Sequence, residues 1–405
     1  MHVVREPQEV GSAAAAAAGR VVRVDEQHAS SAEHPPRRTR VAVVFGGRSS
    51  EHAISCVSAG SVIAALDPER YEVIPIGITP DGRWVLESGE PERLALGPAG
   101  ELPAVTGDKE VALRTSLGSG TDLVVHDASD VPTSLGEVDV VFPVMHGPWG
   151  QDGTLQGLLE LAGVRYVGAG VLSSAVGTDK MYMKLLFSAQ GLPVLPWVPV
   201  RPGEWERDSA AVTEAVAALR YPVFVKPARA GSSFGISRVD SPDDLGEAIR
   251  VAEKFDPKVL VEAAAVDARE VEIGVLQGLD GAAPEASQIA EIRVDGSHEF
   301  YDFEAKYLPG ENTALDIPAD LEEHVAAKVR ALAVQAFAAL DVEGLARVDF
   351  FVFPDGRVVV NEVETMPGFT STSMFPRMWA ASGVSYPELV DRLVQLALSR
   401  PTGLR

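Results

Sequence analysis

A single cysteine, Cys56, stands among 405 residues, so the chain forms no internal disulfide and lacks the thiols of a zinc ribbon or iron–sulfur cluster. Aromatic residues are scarce at 6%. No apolar run approaches the ~20 residues that span a bilayer. The alanine run from Ala13 to Ala18 is flanked by polar and acidic residues and leads into no longer apolar region, so it does not read as a secretory signal. Positive charge is short too. Against 58 Asp and Glu there are 35 Lys and Arg, a net charge of -23, which argues against nucleic acid or an anionic membrane as partner. The expectation is a cytoplasmic protein in a reducing compartment. A nucleotide remains compatible, because it requires only a local cluster of cations.

What is present is ordinary globular material, 46% hydrophobic and 23% charged, enough for two to three domains. Residues 1–38 read as a flexible tail, polar, carrying His2, His28 and His34, ending in prolines and lacking any periodicity. Residues 40–45 form a continuous apolar run, the mark of a buried parallel strand. The run Gly46-Gly47-Arg48-Ser49-Ser50-Glu51 breaks it and helical spacing follows over 53–66, the opening of an α/β unit. Further strands are expected at 72–78 and 138–144, around an irregular Gly-, Pro- and Asp-rich surface insertion at 85–135, with short strands inside it as an open alternative. Helices are expected at 153–162, 179–190, 242–254 and 320–340, and strands at 221–226, 236–239, 259–262, 270–276, 344–353 and 358–364. The boundaries expected are an α/β domain over 39–170 and two α+β pieces over 171–260 and 261–405.

The most informative stretch runs from Leu345 to Glu364. Asp355-Gly356 between two β-rich runs signals a two-residue hairpin turn. With that turn, Asp349 lies opposite Glu362 and Arg347 opposite Glu364, all four on one face. Directly opposed Cβ atoms lie ~5 Å apart, so like charges there repel unless neutralised. A hard divalent cation such as Mg²⁺, which takes oxygen ligands and is often shared with nucleotide phosphates, does this well. A solvated sheet face is the plainer alternative for an isolated hairpin.

On the nucleotide side, residues 222–226 end a strand in Lys226, followed by the small-residue loop Ala228-Arg229-Ala230-Gly231-Ser232-Ser233-Phe234-Gly235. Such a loop lets backbone N–H groups close over phosphates. It is not a Walker A loop. It contains the Gly-x-Ser-x-Gly string of a nucleophile elbow, but an elbow requires a helix after the serine and a strand is expected here. Lys180, at a helix start, is a second candidate phosphate cation, and Glu262 and Glu270 could hold an adenine amino group and ribose hydroxyls.

The ordered set Gly46 to His52, His146-Gly147-Pro148-Trp149-Gly150-Gln151-Asp152-Gly153, Lys226 to Ser233, Tyr301 to Tyr307, Arg347-Val348-Asp349 and Asn361 to Ser373 resembles D-alanine–D-alanine ligases over roughly residues 40–400. The resemblance implies the ATP-grasp fold, in which two α+β domains clamp ATP, here over 171–260 and 261–405, after the N-terminal α/β domain. It implies ATP-dependent joining of two D-alanines through an acyl phosphate, as in peptidoglycan precursor synthesis, by a homodimer. By the same resemblance Lys180, Lys226 and Lys306 surround the phosphates, with Ser232, Glu262, Glu270 and Phe351 completing the ATP site. Asp349, Glu362 and Glu364 hold two Mg²⁺ ions, with Mn²⁺ as the alternative. Arg347 and the Gly368 N–H stabilise the oxyanion. Glu51 takes the first substrate's ammonium, with His146 nearby, and Ser373 takes the second substrate's carboxylate. Tyr307 and Ser232 hydrogen-bond with Glu51, which locks the 300–313 loop as a lid. The Lys306-Tyr307 pair favours an amine acceptor.

The pattern departs at a few places. Glu364 stands where the family usually has asparagine, Gln151 where it has glutamate, and Ala53 replaces an acidic residue near Glu51. The expectation drawn from Glu364 is that it binds metal but partly neutralises Arg347 across the ladder, so that Glu364→Asn raises turnover.

Overall fold

The structure, a computed structural model, describes residues 37–97, 100–114, 122–126, 133–294 and 313–402. Residues 1–36 of the expected tail and 300–312 of the lid, with Lys306 and Tyr307, lie outside the described residues. Three sheets carry the fold. The first has seven strands: β1 (Thr39–Gly46), β2 (Tyr71–Ile78), β3 (Trp84–Leu86), β4 (Lys109–Arg114), β5 (Asp122–His126), β6 (Thr133–Glu137) and β7 (Val140–Val144), in the order β6-β5-β4-β3-β2-β1-β7. The apolar run at 40–45 is the middle of β1, which pairs in parallel with β2 and β7. Both its faces are buried, against helix His52–Ala65 on one side and helix Thr154–Ala162 on the other. That burial is the reason its residues do not alternate in polarity.

Among the described residues, the 85–135 stretch carries short strands. Its strands β3 to β6 extend the first sheet in antiparallel fashion. Turn residues between short alternating strands hid the pairing, because each strand by itself carries little periodic signal.

The second sheet holds β8 (Trp197–Val200), β9 (Val223–Pro227), β10 (Ser237–Val239) and β11 (Val259–Ala263), in the order β10-β9-β11-β8. A strand, not a helix, follows the Gly231–Gly235 loop, so the elbow reading lacks its structural support. The third sheet holds β12 (Arg269–Leu276), β13 (Glu285–Val294), β14 (Thr313–Asp316), β15 (Leu345–Val352) and β16 (Val358–Glu364), in the order β14-β13-β12-β15-β16. Helix Glu323–Ala339 packs Val325, Val329, Ala333 and Phe337 onto its inner face, where Met183 and Phe187 of helix Lys180–Ala189 join them. Burying a Val or Phe side chain in this way contributes roughly 1.5–3 kcal/mol, and the opposite face of β12, β15 and β16 carries Glu270, Glu272, Arg347, Asp349, Glu362 and Glu364. Among the described residues no helix is long and apolar enough to cross a membrane.

Candidate active site

The polar faces of the second and third sheets and the glycine turn of the first sheet enclose one cavity of about 270 Å³. Each wall is placed by local chain physics. At the end of β1, Gly46 takes φ +86°, and a Cβ there would lie 2.4 Å from the Ile78 carbonyl oxygen, so the turn admits no side chain. This turn sets Glu51 at the start of helix His52–Ala65. The Ser232 hydroxyl donates to Glu51 Oε1 at 2.7 Å, and Gly147 packs so tightly that a Cβ there would stand 2.8 Å from Glu51 Oε2.

His146 is buried beside this point. Burial holds its pKa below the ordinary value. The Met366 carbonyl lies 3.0 Å from Nδ1 and the Ser58 hydroxyl 3.3 Å from Nε2. A carbonyl only accepts, so Nδ1 bears the proton and the neutral ring accepts from Ser58.

The expected hairpin pairing is present where it matters: Arg347 opposite Glu364 and Asp349 opposite Glu362. It is reached by a different path. Phe353 N donates to Arg357 O at 2.9 Å, which leaves a three-residue turn with Gly356 at φ +79°, not the two-residue turn expected. That turn by itself would put Asp349 opposite Asn361. A β-bulge between Phe350 and Asp349 takes up Asn361 as an extra residue and restores the pairing. Asn361 and Glu362, consecutive in sequence, therefore both line the cavity.

Arg347 Nε and Nη2 donate to the two carboxylate oxygens of Asp349, both at 2.7 Å, and Nε lies 3.2 Å from Glu272 Oε2. Burial opposes the charge, yet Asp349 and Glu272 hold the guanidinium's pKa well above its usual value. Glu272 is a neighbour the sequence reading missed. It pairs with Asp349 across β12 and β15 and shares a strand face with Glu270; the two-residue spacing was its only signal. Arg347 faces Glu364 across the ladder and the two charges act on each other, but the guanidinium's direct partners are Asp349 and Glu272. Glu364 Oε1 instead accepts a hydrogen bond from Gln151 Nε2, so two positions that depart from the family pattern meet each other. Burial pushes the Glu364 carboxyl up to about 7; Arg347 opposes this, while Glu362 and Glu51 add to it.

The facing wall is cationic. Lys226 Nζ lies 2.7 Å from Glu262 Oε2, and Lys184, almost wholly buried, holds the other oxygen of the same carboxylate. Burial would raise the Glu262 pKa, but the two lysines outweigh it and lower it. Burial lowers that of Lys184 in turn. Lys184 was also missed; its signal was a lysine one turn after Lys180, among the buried Met183 and Phe187 of an apolar helix face. Lys180 itself lies 3.1 Å from Glu362 Oε2, and Asp179 caps its helix by accepting from Met181 N and Tyr182 N.

Of the residues singled out from sequence, Glu51, His146, Lys180, Lys226, Ser232, Glu262, Glu270, Arg347, Asp349, Phe351, Glu362, Glu364 and Gly368 line this cavity. Ser373 does not. It precedes helix Met374–Ala381, where its Oγ is 2.7 Å from Thr370 Oγ1 and accepts from Thr370 N at 3.1 Å.

Family models for the D-ala D-ala ligase N-terminus and C-terminus match residues 40–169 and 186–395. The chain belongs to the D-alanine–D-alanine ligase family. A D-alanine–D-alanine ligase of Streptomyces avermitilis is 55% identical over 383 residues, 93% of this chain and 98% of the relative. One from Kineococcus radiotolerans is 57% identical over 374 residues, 91% of this chain and 99% of the relative. Among solved structures, the D-alanine–D-alanine ligase of Coxiella burnetii is 33% identical with a TM-score of 0.74, covering 90% of this chain and 94% of its own. The VanG D-Ala:D-Ser ligase of Enterococcus faecalis is 35% identical with the same TM-score of 0.74, covering 89% of this chain and all of its own. The fold is therefore ATP-grasp and the protein a ligase.

Membership in this family implies ATP and a divalent cation, and the donor set fits the ion. Asp349, Glu362 and Glu364 offer hard oxygen ligands on one sheet face. Among the described residues no three acidic, histidine or cysteine groups form a ready-made metal cage.

Proposed function

We propose that this ligase joins two D-alanines into D-alanyl-D-alanine for peptidoglycan precursors, consuming ATP through an acyl phosphate. The observation that carries the reading is the cavity's pairing of opposites: carboxylates and Arg347 on the third sheet, lysines on the second sheet and on helix Lys180–Ala189, and Glu51 pinned by Ser232 beside them.

In this scheme the first D-alanine's ammonium rests on Glu51, and its carboxylate oxygen attacks the γ-phosphorus as the bond to ADP breaks. The amine of the second D-alanine, having lost a proton, then attacks the acyl carbon, and inorganic phosphate leaves. Lys180 and Lys226 meet the phosphate charge, with Lys306 joining them. Glu262, Glu270 and Phe351 hold the nucleoside. Arg347, fixed in orientation by donating two hydrogen bonds to one carboxylate, presents its charge to the tetrahedral oxyanion with the Gly368 N–H. Ser373 receives the second substrate's carboxylate. Ser232 and Tyr307 steady Glu51 and the closing loop, which keeps water from the acyl phosphate. Asp349, Glu362 and Glu364 would hold two Mg²⁺ ions, or Mn²⁺, which supply charge compensation on the phosphoryl oxygens. The protein would act as a homodimer in the cytoplasm.

Phosphate release from ATP and Mg²⁺ tests the reading across D-alanine, D-serine and D-lactate. D-alanine is expected to give the fastest release, with the dipeptide as product. Preference for D-serine would move the protein to a different acceptor. ATP binding without phosphate release would mark it as a nucleotide-binding protein that has lost catalysis.

A further inference from the structure

The Gln151 side chain is bonded at both ends of its amide. Its Nε2 donates to Glu364 Oε1 on β16, and its Oε1 accepts from Gly147 N at 2.9 Å. Its own backbone is held as well: the carbonyl accepts from Thr178 Oγ1 at 3.1 Å, and the N–H donates to Gly147 O at 3.1 Å. Gly147 is the residue at which an added Cβ would stand 2.8 Å from Glu51 Oε2. One neutral amide therefore spans the gap between the turn that confines Glu51 and the last carboxylate of the hairpin, and both groups line the same cavity.

A side chain tethered at both ends fixes what it touches. Carboxylates that ligate metals are themselves held by hydrogen bonds from outer partners, and removing such a partner typically weakens metal affinity 10–100-fold. A glutamate at this place would set two carboxylates against each other, and an apolar residue would leave Glu364 free to turn. An amide alone both donates to Glu364 and accepts from Gly147.

We infer that Gln151 is a positioning residue that aims the Glu364 carboxylate at the divalent-cation site while holding the Gly147 turn against Glu51. The inference rests on the reading of Glu364 as a metal ligand. It also makes a specific statement about the pair. Exchanging its members, Gln151→Glu with Glu364→Gln, keeps both hydrogen bonds and the total charge but moves the carboxylate off β16.

The test is Mn²⁺ binding to the full-length protein saturated with ADP, read by electron paramagnetic resonance of the free ion, beside thermal melting. Gln151→Leu is expected to weaken Mn²⁺ about tenfold or more while ADP affinity measured without metal stays near that of the wild type. Gln151→Glu is expected to melt lower and to bind D-alanine more weakly. The exchanged double variant is expected to recover the melting temperature of the wild type yet keep weakened Mn²⁺ binding, because an amide now occupies the ligand position. Unchanged Mn²⁺ affinity in a well-folded Gln151→Leu protein would overturn the inference, as would a double variant with wild-type Mn²⁺ affinity. The single variant Glu364→Gln separates the two levels. If it binds Mn²⁺ like the wild type, the metal role of Glu364 falls, whatever Gln151 does.

Discussion

The two charged walls of the cavity use the same device to opposite ends. On β12, β15 and β16 five carboxylates, Glu270, Glu272, Asp349, Glu362 and Glu364, face the cavity, with two cations, Arg347 and Lys180, among them. Around β9 and β11 two cations, Lys184 and Lys226, meet one carboxylate, Glu262. Both clusters are largely shielded from water, where charges interact more strongly than at a surface. The first therefore has anionic excess and suits a divalent cation. The second has cationic excess and suits phosphate. A ligand that carries both, a metal-bound nucleoside triphosphate, satisfies the two walls at once; neither wall would select it alone.

The largest break in this arrangement comes from Arg347→Met. It strips the cation from Asp349 and Glu272 together, and leaving buried charge uncompensated costs about 3–5 kcal/mol. Turnover is expected to fall at least 10²–10³-fold, the usual effect of losing one oxyanion donor. Steady-state kinetics that show less than a tenfold loss would remove Arg347 from the chemistry.

On the opposite wall, Lys184→Met leaves one oxygen of the buried Glu262 without its lysine. The expected outcome is a stability loss of about 3 kcal/mol in urea denaturation and a KM for ATP that rises more than kcat falls. An unchanged KM would mean that this cluster serves folding alone. Gly147→Ala probes the substrate end between the walls. A Cβ would stand 2.8 Å from Glu51 Oε2 on a backbone at φ +76°, which costs of order 1–3 kcal/mol. The KM for D-alanine is expected to rise about tenfold while that for ATP holds steady; a parallel rise in both would point to general distortion.

The smallest effect concerns Glu364 and pH. Its carboxyl has a folded pKa raised from 4.5 to about 7, so in metal-free protein the folded state holds a proton that the unfolded chain releases earlier. The associated stabilisation is full below about 4.5 and is lost as pH rises through about 7. Metal-free Glu364→Gln lacks this term. Its urea midpoint is expected to match the wild type near pH 5 and exceed it near pH 8. A constant difference across that range would show that Glu364 does not titrate there.

Much of this was legible in the chain. Alternation along 345–352 put Arg347, Asp349 and Phe351 on one face, and the apolar run at 40–45 announced a strand buried on both sides. The pairing of Asp349 with Glu362 was also expected, but through a two-residue turn; the three-residue turn and the Asn361 bulge offset each other. Lys184 and Glu272 were passed over because a lysine in a helix or a glutamate in a strand is usually solvated. What makes them unusual is the partner, and Lys184 finds its partner 78 positions away.

The sequence by itself determined the family, through the ordered motifs it shares with D-alanine–D-alanine ligases, and also the strand faces that carry the charged residues and the glycine break after the first strand, which follow from local periodicity and sterics. Only the tertiary structure decided the bulge, the partners of Arg347, the contact between Gln151 and Glu364, and the opposite charge excess of the two walls. Those depend on distances between residues far apart in the chain. Burial then turns such proximity into strong electrostatic coupling, which no local pattern encodes.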